Sequence, residues 1–168
     1  SINAMVYIRG QREDYDGWAA QGCRGWGWDD VLPVFRRAEG NQRLSGPLHG
    51  VDGPMKVSDT RHRHALSLAF VKAAQETGLA YNDDFNGAAQ AGVGFYQTTT
   101  FEGARASTAA TYLAAVRGSE RLTVLTGAHV LRLVVEGGQA RGLVYRRGNE
   151  EVSVQARREV VLAAGALA

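Results

Sequence analysis

The sequence predicts an α+β fold, on three observations. Apolar residues recur at helical spacing between Ala65 and Glu76. A run of short β-branched segments joined by glycine turn signals fills the chain from Leu122 onward. Hydrophobic residues make up 45% and charged residues 21% of the 168 residues, enough apolar side chain for a core and too little charge for a disordered chain.

The first ten residues, Ser1-Ile-Asn-Ala-Met-Val-Tyr-Ile-Arg-Gly10, begin without a cap or leader and read like the middle of a longer element. Glu13-Asp-Tyr-Asp16 then precedes Gly17-Trp18, and Gly22-Cys-Arg-Gly-Trp-Gly-Trp28 is dense in glycine and tryptophan; this reads as loop with large aromatic anchors. Asp29 or Asp30 can cap a short helix running to Ala38, with Pro33 tolerated in its first turn, and the helix should stop near Gly40. Turn residues occupy nearly every second position from Asn41 to Gly53, which places an internal boundary there.

Pro54–Ser58 suits a short strand, and Asp59 or Thr60 can start the next element. Ala65, Leu68, Ala69, Lys72, Ala73 and Glu76 predict a helix that Gly78 can cap. Asn82-Asp-Asp-Phe-Asn-Gly87 predicts a turn, because Asn and Asp fold onto nearby backbone. Gly94–Thr100 is aromatic and β-branched and predicts a strand; Ser107 can cap a helix through Val116, closed by Gly118. Five strand runs follow: 122–126, 130–135, 140–145, 151–155 and 159–163, with Gly137-Gly138 and Gly148-Asn149 as turns. They read as an antiparallel meander followed by a strand buried on both faces.

Several function classes are excluded on residues alone. Net charge is only +2, and the arginines fall in scattered pairs such as Arg36-Arg37 and Arg157-Arg158, so no basic stripe for nucleic acid exists. No apolar run is long enough to cross a bilayer as an integral span. Cys23 is the single cysteine, so neither an internal disulfide nor a cysteine zinc site can form; the expectation is a cytoplasmic protein, at most peripheral to a membrane. His62-Arg-His64 lacks the paired spacing of a zinc site, and no nucleophile elbow or phosphate loop occurs. Gly92-Val-Gly94 precedes a strand pattern and is not a dinucleotide fingerprint.

Glycine is the outlier, with 21 residues, which signals tight turns or backbone that approaches a large ligand. Two stretches suit close approach to a flat ligand: Asn3–Gly10, where an amide sits beside small and apolar residues, and Leu125–Val130, where a strand meets a small-residue turn. An ordinary strand or loop edge explains either stretch equally.

Ser1–Gly10 resembles the first signature of the glucose-methanol-choline (GMC) oxidoreductases, which has the form G-G-S-S-x-N-x-M-x-Y-x-R-G. Further blocks match in order: Asp14-Tyr-Asp-Gly-Trp18, Gly25-Trp-Gly-Trp-Asp29, His49-Gly50 with Gly53-Pro54, Asp84-Phe-Asn-Gly87, Arg105-x-Ser107 with Ala109-Ala110-x-Tyr112-Leu113, and Leu122-x-Val124-Leu-Thr126. Glu159–Ala166 is similar to the run-up to the second signature. The wording is closest to the bacterial choline and alcohol dehydrogenases.

The resemblance implies an FAD-dependent oxidation of a small alcohol, choline or a similar one, in which flavin N5 takes hydride. It implies that Asn3, Ala4, Met5 and Val6 line the isoalloxazine, that the Val130 backbone holds the adenine, and that Ala164 and Gly165 lie near the phosphates or ribose. Isoleucine at position 2, where some members attach FAD through histidine, implies no covalent bond there. The family's N-terminal Rossmann unit and its C-terminal catalytic histidine have no counterpart in these residues, so the chain carries no catalytic residue of its own and reads as a central piece of such an enzyme, inactive alone, whose partners are the missing N- and C-terminal parts. On that basis residues 1–45 are the first-signature segment and a lid-like loop of the FAD domain, 46–118 part of the substrate domain, and 119–168 the FAD-domain meander. The alternative is a natural short flavin-binding or interaction module without catalysis. For choline, Trp18, Trp26, Trp28, Phe95 and Tyr96 offer aromatics for a cation cage.

Overall fold

The computed structural model describes residues 3–165; Ile2 and Ala166, on which two of the expectations rest, lie outside them. Two compact units form, Ser1–Gly118 and Ser119–Ala168. The expected α+β class holds for the chain, with helices and short strands in the first unit and strands alone in the second.

In the first unit, α1 (Arg12–Ala20) and α2 (Trp28–Ala38) form a helical hairpin. Helix α1 falls where glycine and tryptophan pointed to loop. Its start is fixed by Asp14, whose Oδ2 accepts the Gln11 N–H at 2.7 Å, and its packing by Tyr15, whose ring lies 5.3 to 5.8 Å from those of Trp18, Trp28 and Phe35. Burial of that aromatic cluster outweighs the helix penalty of Gly17. Helix α2 starts two to three residues earlier than expected, capped at Gly27, with Asp30 Oδ2 accepting the Gly27 N–H at 3.1 Å. It ends at Ala38, before Gly40.

Strand β1 (Glu39–Asn41) pairs in parallel with β2 (Met55–Val57). Gly40 and Gly53 permit this pairing, since a Cβ at Gly40 would stand 2.3 Å from the Gly53 carbonyl oxygen. Helix α3 (Ala65–Glu76) has its predicted extent, with His64 Nδ1 accepting the Leu66 N–H as cap and Gly78 at φ +98° behind it. Neither Asp59 nor Thr60 starts it. The 82–87 turn is built as expected: Asn82 Oδ1 accepts the Asp84 N–H and Asp84 Oδ1 the Asn86 N–H.

The expected 94–100 strand is largely absent as a regular element. Only Thr98 is paired across it, to Val6 on one side and Ser58 on the other, and β3 (Thr100–Phe101) turns at once into β4 (Ala104–Arg105). Ser107 caps the next helix as predicted, its Oγ accepting the Ala110 N–H, but Ala109–Leu113 winds as a π-helix.

The second unit is a three-stranded antiparallel sheet of β5 (Ala128–Glu136), β6 (Gln139–Arg147) and β7 (Glu150–Gln155). Gly137, Gly138 and Gly148 all have positive φ, which explains both tight turns. Two of the five expected strands are corrected. Residues 122–126 and 159–163 form no strand, and Val161 and Leu162 are 80% and 68% exposed rather than buried on both faces. Strand propensity without a paired neighbour leaves backbone groups unbonded, so apolar composition alone does not make a strand.

Candidate functional site

The segment 3–10 runs along the first unit and is held from one side. Thr99 N–H donates to the Met5 carbonyl at 2.8 Å and Tyr7 N–H to the Gln97 carbonyl at 2.9 Å. Thr98, opposite Val6, gives both its backbone groups to Ser58. By the antiparallel pattern the Val6 N–H and C=O therefore point away from the sheet. Val6 is 43% exposed, and Asn3 and Ala4 are exposed.

Met5 has φ +62°. Among the described residues the other non-glycine with positive φ is Glu102, which sits with Gly103 at the tip of the β3–β4 hairpin where such values are required. Met5 lies in no hairpin. Its N–H is held by Asn3 Oδ1 at 2.6 Å. A left-handed methionine costs of order 1 kcal/mol or more, and such strain marks functional backbone.

Beneath this segment lies a polar frame that sequence reasoning missed. Arg9 is buried; its N–H donates to Asn86 Oδ1 at 2.7 Å, and Asn86 Nδ2 donates to the Tyr7 carbonyl at 3.0 Å. Gln90 Nε2 donates to the Arg9 carbonyl at 2.8 Å. The Arg9 guanidinium reaches the Leu48 carbonyl and Glu39 Oε2, with Cζ 5.5 Å from the Phe35 centroid and 6.0 Å from that of Tyr7. Glu39 is fully buried and accepts four bonds: from Asn41 Nδ2 and His49 Nδ1 on Oε1, and from Arg9 Nη2 and the Gly50 N–H on Oε2. The far side of His49 meets Asp84, Nε2 to Oδ2 at 2.9 Å.

The electrostatics follow from this geometry. Burial pushes the Glu39 carboxyl up, but the bonds from His49, Asn41 and Gly50 with the Arg9 charge more than offset it, and its pKa lies below the ordinary range. Burial pushes His49 down, and its bonds to Glu39 and Asp84 more than offset that, so its pKa is raised. Tyr7 is pushed up to about 12 by burial and the neighbouring Glu39 charge, and stays a neutral phenol at any physiological pH. One sequence signal for this frame was available: Glu39, Asn41 and His49 are polar residues amid glycine punctuation, where side chains that bond backbone are needed.

The other predicted residues lie in the second unit. Val130 is 49% exposed on β5, opposite Tyr145 and beside a register shift. Strand β5 is an edge of its sheet, so backbone groups along it are unpaired among the described residues. Ala164 is exposed in irregular chain next to Gly165 at φ +98°. The candidate aromatics divide rather than converge. Trp18, Trp26 and Trp28 join the Tyr15 cluster, Phe95 lies under Arg63 at 4.5 Å, and Tyr96 packs on Phe85 at 4.6 Å. Among the described residues no cluster of His, Cys, Asp and Glu could hold a metal ion, and no helix is long and apolar enough to cross a membrane.

The first unit thus combines an outward-facing backbone edge with a buried polar frame beneath it. The chain belongs to the GMC oxidoreductase family, whose profile matches residues 1–168. It is 42% identical over 170 residues to an alcohol dehydrogenase [acceptor] of Pseudomonas putida, covering 99% of this chain and 31% of the relative. It is 38% identical over 167 residues to the mitochondrial choline dehydrogenase of Homo sapiens, covering 99% of this chain and 28% of that protein. Among solved structures, pyridoxine 4-oxidase from Mesorbium loti superimposes with a TM-score of 0.82 at 34% identity, over 92% of this chain and 31% of its own. The chain thus spans under a third of the length of these relatives.

FAD is the cofactor of this family. The residues present fit it: a planar ring system needs exposed chain with unpaired peptide groups, and the stretch from Asn3 to Val6, with the Val6 N–H and C=O directed away from the sheet, supplies one.

Proposed function

We propose that this chain is the central part of an FAD-dependent oxidoreductase that oxidises a primary alcohol, choline or a similar alcohol, to the aldehyde. When bound, FAD supplies the hydride acceptor at N5. Asn3, Ala4, Met5 and Val6 line the flavin ring, the Val130 backbone holds the adenine, and Ala164 lies near the phosphates or ribose. Residues 1–45 and 119–168 belong to the FAD domain, and 46–118 to the substrate domain. The observation that carries this reading is the left-handed Met5 beside the outward Val6 peptide groups, a strained residue outside any hairpin.

The chain's own contribution is positioning. Asn86 holds the Tyr7–Arg9 backbone as a neighbouring strand would, one donor and one acceptor, and so fixes the segment that continues into Val6. The aromatics form no cation cage by themselves, so the substrate site draws on residues contributed by the rest of the enzyme. Exposed Val161 and Leu162 support the same conclusion, since apolar residues of that size need cover. The free, exposed Cys23 fits a cytoplasmic location.

The test is a titration of the purified chain with FAD, read by flavin fluorescence and visible absorption, beside an alcohol-oxidation assay of the enzyme that carries this segment. The expected result is no saturable binding by the chain alone and flavin reduction by choline or another primary alcohol in the enzyme. Tight, stoichiometric binding by the chain alone would replace this reading with a short flavin-binding module without catalysis.

A further inference from the structure

We infer that His49 is an imidazolium clamped between two carboxylates, and that it is a positioning residue: its charge fastens the 82–87 turn to β1, and through Asn86 sets the Tyr7–Arg9 backbone. The consequence for the flavin-facing residues rests on the function proposed above; the charge state of His49 does not.

The argument is one of donors and acceptors. Glu39 accepts from Asn41, Arg9 and the Gly50 N–H, and the Arg9 guanidinium 3.3 Å from its Oε2 holds it as the carboxylate, with no proton to donate. His49 Nδ1 stands 3.0 Å from Glu39 Oε1 and must therefore bear the hydrogen. An unprotonated Nδ1 would face that oxygen lone pair to lone pair, with the longer 3.4 Å contact to Arg9 Nη2 as its sole donor. At the other end Asp84 Oδ1 accepts the Asn86 N–H while Oδ2 faces Nε2 at 2.9 Å. With a hydrogen on both nitrogens the ring completes a balanced set: Arg9 and His49 positive, Glu39 and Asp84 negative. A charge pair this far from water is strong only when each partner's remaining sites are satisfied, which is the case for Glu39.

The groups that face the ring come from three elements. Glu39 approaches from β1, Asp84 from the 82–87 turn and Arg9 from the N-terminal segment, while Arg36 of α2 touches only the His49 carbonyl, at 3.5 Å. Arg9 opposes the imidazolium and the two carboxylates favour it. Asp84 is joined to Asn86 by one hydrogen bond, and Asn86 to Tyr7 and Arg9 by two, so loss of the His49 proton loosens the 7–9 backbone as well as the turn. Raising the pH through the His49 midpoint therefore switches the fastener off.

The test follows the ring nitrogens of the 15N-labelled chain by NMR across the pH range, with no flavin present. His49 is expected to keep both nitrogens protonated at pH values above the ordinary imidazole value of 6.5. The amide signals of Arg9 and Gly50 should shift with the His49 midpoint, and in His49→Gln, which keeps hydrogen-bonding capacity without the charge, that shift should disappear. Titration of His49 at or below the ordinary imidazole value of 6.5, or Arg9 and Gly50 amides that do not follow it, would overturn the inference. The wild-type titration decides the matter even if the variant fails to fold, and it is independent of whether the chain binds FAD.

Discussion

Replacing Glu39 by alanine removes the centre of the buried frame. The carboxylate is 0% exposed and takes four hydrogen bonds, at 2.8 Å from Asn41, 3.0 Å from His49, 3.0 Å from the Gly50 N–H and 3.3 Å from Arg9. Glu39→Ala leaves the Arg9 guanidinium, itself 3% exposed, without its counter-charge. Breaking a buried pair in this way costs about 3–5 kcal/mol, a large part of the roughly 5–15 kcal/mol that holds a domain together. Glu39→Gln keeps the volume and loses the charge, and should cost at least about 2 kcal/mol, as expected for hydrogen bonds to a charged group. The assay is urea unfolding followed by tryptophan fluorescence. All three tryptophans, Trp18, Trp26 and Trp28, lie in the Ser1–Gly118 unit, so the signal reports on the unit that carries the mutation. The midpoint should fall with the slope unchanged. Adding Arg9→Met to Glu39→Ala should cost less than the sum of the two single changes, because no unpaired charge is then left. A Glu39→Ala loss under about 1 kcal/mol at unchanged slope would show that the frame does not hold the unit as described.

Two further outcomes follow from the same physics. The Glu39 pKa is lowered from its ordinary 4.5, so its contribution is full above that value and is lost as pH falls through the folded-state pKa; the His49 pKa is raised from 6.5, so its contribution is full below that value and is lost as pH rises through the folded-state pKa. Stability of the first unit should therefore peak between 4.5 and 6.5, and a urea midpoint that keeps rising above neutral pH would contradict the His49 assignment. In the second unit, a Cβ at Gly142 would stand 2.0 Å from the Val154 carbonyl oxygen across the β6–β7 ladder. Gly142→Ala should lower the melting temperature of that unit, measured by far-ultraviolet circular dichroism, by about 8–16 °C for a loss of about 2 kcal/mol; an unchanged melting curve would mean that the ladder register is wrong.

Much of the fold was legible because local chemistry fixes it. Helix α3 took its predicted extent, since apolar spacing and Gly78 both act within a few residues. The two meander turns needed only glycine at positive φ. The strand runs 122–126 and 159–163 misled, because their composition suits a sheet but a ladder needs a neighbour, and none pairs with them in the described residues. Helix α1 was hidden by Gly17 and revealed by the long-range burial of Tyr15 against Trp28 and Phe35.

The candidate site divides along the same line. The sequence by itself determined the family, through ordered blocks from the first-signature residues to Glu159–Ala163, and with it the expectation that residues 3–6 meet a flavin. Those blocks are contiguous, so they can be read one residue at a time. Only the tertiary structure decided that Arg9, Glu39, His49, Asp84 and Asn86 form one buried frame, and that Met5 is left-handed above it. Arg9 and Asn86 are 77 positions apart, and no local pattern encodes a hydrogen bond across that distance. It exists because burial removes water as a partner and leaves each polar group to find another within reach.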